Sequence, residues 1–106
     1  MILDIWDLEI DDVNREKLHA NGISVATAFE VVEGDPRVLP NRVKDGAPYL
    51  LVGPTSIGFV TLPIDETRLH GSWRPRTGYP SKPADRQRYA KAGPKRQRTR
   101  RGSGGR

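Results

Sequence analysis

The sequence predicts a small α+β domain, an antiparallel sheet with helices on one side, followed by a disordered basic tail. Three observations predict it. Val25, Ala28, Phe29 and Val32 recur at i, i+3, i+4 and i+7, the spacing of one helical face. After Pro36 the pattern changes to short apolar runs bounded by turn signals, as strands require. Beyond Ala90, the segment Lys91 to Arg106 holds seven basic side chains, no acid and no aliphatic residue larger than alanine. Such a segment buries too little apolar surface to offset the entropy of ordering it.

Each element has a local reason. Ile2, Leu3 and Ile5-Trp6 form a short first strand, interrupted by acids that face solvent. Asp11 or Asp12 caps a helix carrying Val13 and Leu18, and Asn21-Gly22 supplies its left-handed stop. Ser24 caps the second helix; its apolar stripe reads as core packing, Glu30 and Glu33 stay outside, and Gly34-Asp35-Pro36 ends it. Arg37 to Lys44 alternates weakly, and Pro40, which has no N–H to give, moves it to a sheet edge or a bulge. Lys44-Asp45-Gly46 is a turn. Tyr49 to Val52 is a buried run, Gly53 to Gly58 a second connection, and Phe59, Val60, Leu62 and Ile64 the next strand, closed by Asp65-Glu66. Ser72 to Thr77 is the last strand, with Trp73 on one face and Arg74 and Arg76 on the other. Ser81 and Pro83 open a third helix that runs to about Ala92. The order is β-α-α-β-β-β-β-α, giving a domain over 1–90 and a tail over 91–106.

Charge is segregated along the chain. Nine acids face only Arg15 and Lys17 up to Asp35, whereas Pro36 to Ala90 has nine basic residues against four acids. With the tail added, the molecule is bipolar and one part of it suits a polyanion. Arg37, Arg42, Arg86 and Arg88, with Lys95, Arg96, Arg98, Arg100 and Arg101 of the tail, are the candidate nucleic-acid contacts. The competing explanation is solvated faces and a solubilising tail.

Several classes of function are disfavoured. There is no cysteine, hence no disulfide framework, thiolate metal site or thiol nucleophile, and the two histidines, His19 and His70, lack ligand spacing. No phosphate-binding loop, dinucleotide fingerprint or metal motif is present, so neither a cofactor nor a metal is expected. Gly53 to Gly58 is flanked by glycines but reads as a hairpin rather than a phosphate cradle, and Ser24, Ser56 and Ser81 have no base placed by local spacing. No apolar run approaches the roughly 20 residues needed to span a bilayer. Met1 to Asp7 is too short and acid-bearing for a signal peptide, so a cytoplasmic protein without membrane contact is expected.

The basic strand is more informative. Arg74 and Arg76 stand two apart, so their guanidinium groups share a face of an extended strand. Two like charges there call for a phosphate, which guanidinium binds bidentately, or for nearby acids. Tyr79 either stacks on a base or packs against the sheet, and His70, in the loop before the strand, is suited to proton transfer near neutral pH.

Several segments together resemble a known family. Asn14-x-x-Lys17-Leu18, Asn21-Gly22-Ile23-Ser24, Ala28-Phe29-x-Val31 and Asp35-Pro36-Arg37 are similar, in order and spacing, to the front half of BrnT-type toxins. Tyr49 to Val52 and Gly58 to Leu62 resemble the central strands, and Trp73-Arg74-x-Arg76-Thr77-Gly78-Tyr79 with Asp85-Arg86-Gln87-Arg88-Tyr89 resembles the closing strand and helix. The likeness covers roughly residues 3–90. It implies a RelE-like fold and the toxin half of a type II toxin–antitoxin pair, a metal-independent endoribonuclease acting on RNA. A cognate antitoxin, a small DNA-binding repressor, would be the protein partner. Arg74 matches the first arginine of the family's last strand and is expected to stabilise charge on the phosphorane. Arg76 stands where an aliphatic residue is usual, an added cation. Asn21 replaces the family's turn histidine and Tyr79 its second arginine; asparagine is no general base and tyrosine no cation. Either His19, His70 or Tyr79 takes those tasks, or the chain is a non-catalytic nucleic-acid- or partner-binding module of the same fold.

Overall fold

The computed structural model describes residues 3–92, which fold as three helices and a six-stranded mixed sheet. In chain order these are β1 (Asp7–Leu8), α1 (Asp12–Ala20), α2 (Val25–Glu33), β2 (Arg37–Pro40), β3 (Tyr49–Thr55), β4 (Gly58–Glu66), β5 (Ser72–Pro75), β6 (Tyr79–Pro80) and α3 (Pro83–Ala92). The expected α+β class holds, but five strands rather than the expected four stand between the second and third helices, because the expected last strand is split into β5 and β6. The tail expected over 91–106 lies outside the described residues from Gly93 onward.

Local chemistry starts and stops the helices where the sequence indicates. Asp11 accepts from the Asn14 amide at 3.0 Å while the Asn14 side chain accepts from the Asp11 amide at 2.8 Å, a reciprocal capping box. At the other end of α1, Gly22 has φ of +79°, Ile23 N donates to the Leu18 carbonyl and Gly22 N to that of His19. That is the Schellman arrangement, with fully buried Leu18 and Ile23 as its apolar clasp. Ser24 caps α2 by accepting from the Thr27 amide at 3.0 Å.

The sheet runs β1-β5-β4-β3-β2, with β6 also paired to β4. All pairs are antiparallel except β1 with β5. The expected first strand at Ile2 to Trp6 therefore lies further along the chain, at Asp7–Leu8, where it pairs with Ser72 and Trp73. Leu3 and Ile5 instead pack against the core on the approach to β1. Pro40 ends β2, an edge strand, as its missing N–H requires.

Two cores flank the sheet. Leu18 of α1, Ile23 just after it, and Ala28 and Val31 from α2 pack on Leu51, Val60, Leu62, Ile64 and Trp73. On the opposite face Leu39, Leu50 and Val52 pack with Tyr89 of α3. The helices thus lie on both sides of the sheet, not one. The reason is visible in β3: Leu50, Leu51 and Val52 are consecutive and all buried, so both faces need cover. Val13, the first apolar residue of α1, is 57% exposed. Asn14 takes the inward position, donating to the Glu9 carbonyl at 2.9 Å.

The last strand is broken by a bulge. On β4, Ile64, Asp65 and Glu66 face Pro75, Arg74 and Trp73, whereas Thr61 and Val60 face Tyr79 and Pro80. The register shifts by one residue between β5 and β6, so the segment Arg76 to Gly78 carries one residue more than β4 opposite it.

Candidate functional site

Period-two alternation across that segment would put Tyr79 on the face of Trp73, inside the core. The extra residue reverses this. Tyr79 stands opposite Thr61, whose hydroxyl meets Ser81 and Asp85 on the α3 side of the sheet. Arg74 stands opposite Asp65, which shares a face of β4 with Thr61. One face therefore carries Asp65, Arg74, Arg76 and Tyr79. Helix α3 packs over β2 and β3 and leaves the β5 side open, where the Arg76 side chain is 46% exposed.

The bulge is anchored from α1. Asn21 Nδ2 donates to the Gly78 carbonyl at 2.8 Å and to Thr77 Oγ1 at 3.2 Å. Gly78 fits only because it lacks a side chain: a Cβ there would lie 2.6 Å from Leu18 Cδ2 and 2.7 Å from Leu62 Cδ2. Asn21 is thus a structural clamp in this chain.

Both arginines are engaged by carboxylates. Arg76 closes a fork on Asp65, Nε to Oδ2 at 2.6 Å and Nη2 to Oδ1 at 3.1 Å, and its Nη1 lies 3.4 Å from the Asp45 carbonyl. Arg74 reaches Asp11, donating through Nη1 to Oδ2 and through Nη2 to Oδ1. The Arg74 hydrogen bonds, helped by the Asn14 amide, lower the Asp11 carboxyl to about 2, and each carboxylate holds its arginine above the ordinary guanidinium range. Of the two sequence readings of this arginine pair, the acid-paired one describes the chain without ligand.

Around the pair lie further groups. Lys82 places its ammonium 5.3 Å from the Tyr79 ring centroid. Burial, and then Asp85, push the Tyr79 phenol up, so it keeps its proton at neutral pH. Beneath α3, Asp85 accepts from Thr61 Oγ1 at 3.0 Å, which leaves the Ser81 hydroxyl to donate to Thr61 at 2.8 Å. This buried relay was not legible in the sequence, where Ser81 reads as a helix opener and as a serine with no base beside it.

The other sequence candidates sit elsewhere. His70 Nε2 lies 2.8 Å from Asp4 and its ring meets Trp6 edge-on at 5.5 Å, beside a cleft of about 340 Å³ that Asp4, Arg68 and Trp73 help to line. His19 is exposed on α1. Neither histidine makes a hydrogen bond or ion pair with Arg74 or Arg76 among the described residues. Arg37 is packed over the Tyr89 ring at 4.1 Å, donates to the Tyr89 carbonyl and pairs with Asp35, so it serves the α3 core. Arg42 is exposed in the loop after β2; Arg86 and Arg88 brace α3 against the Ser81 and Pro40 carbonyls. Lys95, Arg96, Arg98, Arg100 and Arg101 lie outside the described residues. The connection expected over Gly53 to Gly58 is a tighter hairpin, because Gly53 to Thr55 continue β3 and only Ser56-Ile57 turn; the Ser56 amide donates to Glu30 at 2.7 Å.

Among the described residues, no group of three or more His, Cys, Asp or Glu is placed to hold a metal ion, and no helix is long and apolar enough to cross a membrane. Comparison with family models, curated proteins and solved structures finds no match for the chain.

Proposed function

We propose that the open face of the sheet binds RNA and that the protein is a toxin-like, metal-independent endoribonuclease of the type its sequence resembles. The observation that supports binding is the pairing of Arg74 and Arg76 on one exposed sheet face, next to Tyr79 and Lys82. Guanidinium forks take phosphate oxygens bidentately, and a half-buried aromatic ring offers a base a stacking surface. In the cleavage step the 2′-oxygen attacks the adjacent phosphorus, its proton passing to a base. The 5′-oxygen leaves with a proton, giving a cyclic phosphate. Arg74 and Arg76 neutralise the charge that builds on the phosphorane. A small DNA-binding antitoxin is the protein partner that this reading requires.

A second reading, binding without cleavage, draws on a specific observation. Asn21 is committed to the bulge, and neither histidine stands with the arginines. The test is purified protein with a mixed RNA pool in EDTA, beside Arg74→Ala. Cyclic-phosphate products from wild type alone support the ribonuclease. Salt-sensitive binding without product favours the binding module, and absence of both sinks the RNA reading.

A further inference from the structure

The donor edges that would hold a phosphate are already occupied. Arg76 gives Nε and Nη2 to Asp65 and turns Nη1 toward the Asp45 carbonyl. Asp65 stands directly opposite Arg74 in the register, yet it grips Arg76, and Arg74 turns away to Asp11. The two forks therefore point to separate carboxylates although their Cα atoms are about 6.6 Å apart along the strand. We propose that Asp65 is a resident competitor on Arg76 and that it makes the face select linked phosphates over single ones; this rests on the RNA reading above.

Local concentration decides the competition. A free phosphate ion must displace a carboxylate tethered within hydrogen-bond distance, and it loses that competition at ordinary concentrations. A chain of phosphodiesters that displaces Asp65 at Arg76 holds its next phosphate near Arg74, so its second contact is intramolecular. Asp65 carries no other side-chain hydrogen bond among the described residues, and its side chain is 28% exposed, so it can yield without unfolding its strand. Asp11 differs because its carboxylate also caps α1.

The experiment is fluorescence anisotropy of a labelled single-stranded RNA oligonucleotide at 0.1 M salt, competed with inorganic phosphate. The proteins are wild type, Asp65→Asn, Arg76→Gln, the double variant, and Glu66→Gln as a charge control on the next residue. Asp65→Asn is expected to tighten RNA binding about three- to fivefold, the scale of one exposed ion pair, and to make phosphate a better competitor. That gain should vanish in the Arg76→Gln background. An equal gain there, or in Glu66→Gln, overturns the proposal in favour of general charge. Weaker binding by Asp65→Asn overturns it too, since Asp65 would then be positioning Arg76. Arg74→Gln is measured beside them; if it and Arg76→Gln both leave RNA binding unchanged, the RNA reading of this face fails, a separate result. Should Asp65→Asn not fold by circular dichroism, Asp65→Ser with Arg76→Gln forms the same cycle on the same pair.

Discussion

Asn21 closes α1 against the broken last strand, its side-chain amide 2.8 Å from the Gly78 carbonyl. Fifty-seven positions of sequence are joined by this one contact, and it fixes where the register of β4 against β5 and β6 changes. Asn21→Ala removes both of its donors. The expected loss is about 1 kcal/mol, a fall of about 5 °C in the thermal midpoint for a domain of this size. An unchanged midpoint in calorimetry would show that the bulge holds itself.

Gly78→Ala tests the other side of the same joint. The added methyl meets Leu18 and Leu62, both fully buried, so the core must shift. Overpacking of this kind costs about 1–3 kcal/mol, which urea denaturation will register as a lower midpoint at constant slope. Because the shift would also move Tyr79, RNA affinity should fall with stability.

The Asp11–Arg74 pair gives the molecule an acid-sensitive contact. The Asp11 carboxyl is lowered from 3.8 to about 2, chiefly by the Arg74 hydrogen bond. A lowered folded-state value means stability that is present above the unfolded value and lost as pH falls through the folded one. Wild type should lose stability between about pH 4 and about pH 2 more steeply than Asp11→Asn. In Arg74→Ala the Asp11 titration, followed by carboxyl NMR, should rise toward 3.8; if it stays near 2, the pair is not the cause.

Salt dependence separates the sheet face from the tail. Each phosphate contact on single-stranded RNA contributes a slope of about 0.7, so Arg74→Ala should lower the slope by about that amount. Removing residues 93–106 takes away six basic residues and should lower it by about four if all six reach phosphates. A slope that ignores the deletion assigns the tail another role.

Much of the architecture was legible because its signals are local. Ser24 before an apolar stripe, Gly22 after a helix and Pro83 at a helix start each act within one turn of chain, and all three stand where the sequence puts them. The misplaced first strand was not local: Asp7–Leu8 is a strand only because Ser72 and Trp73 lie beside it. The bulge escaped for a different reason, since one inserted residue leaves no mark on a short run of mixed polarity. The shared face of Arg74 and Arg76 followed from period two alone. Their partners Asp11 and Asp65 did not, being 63 and 11 positions away.

The strap that begins the domain has a kinetic consequence. Trp73 donates its indole N–H to the Asp4 carbonyl across 69 positions of chain, and the β1–β5 pair is nearly as distant. Both contacts close long loops, so this edge should form late in folding and exchange its amide hydrogens first. While it is open, β5 offers its bare backbone to whatever strand is nearby, including a second copy of itself. Two residues of parallel ladder therefore shield β5 from edge-to-edge pairing, and shortening the chain before Asp7 would test how much protection they give.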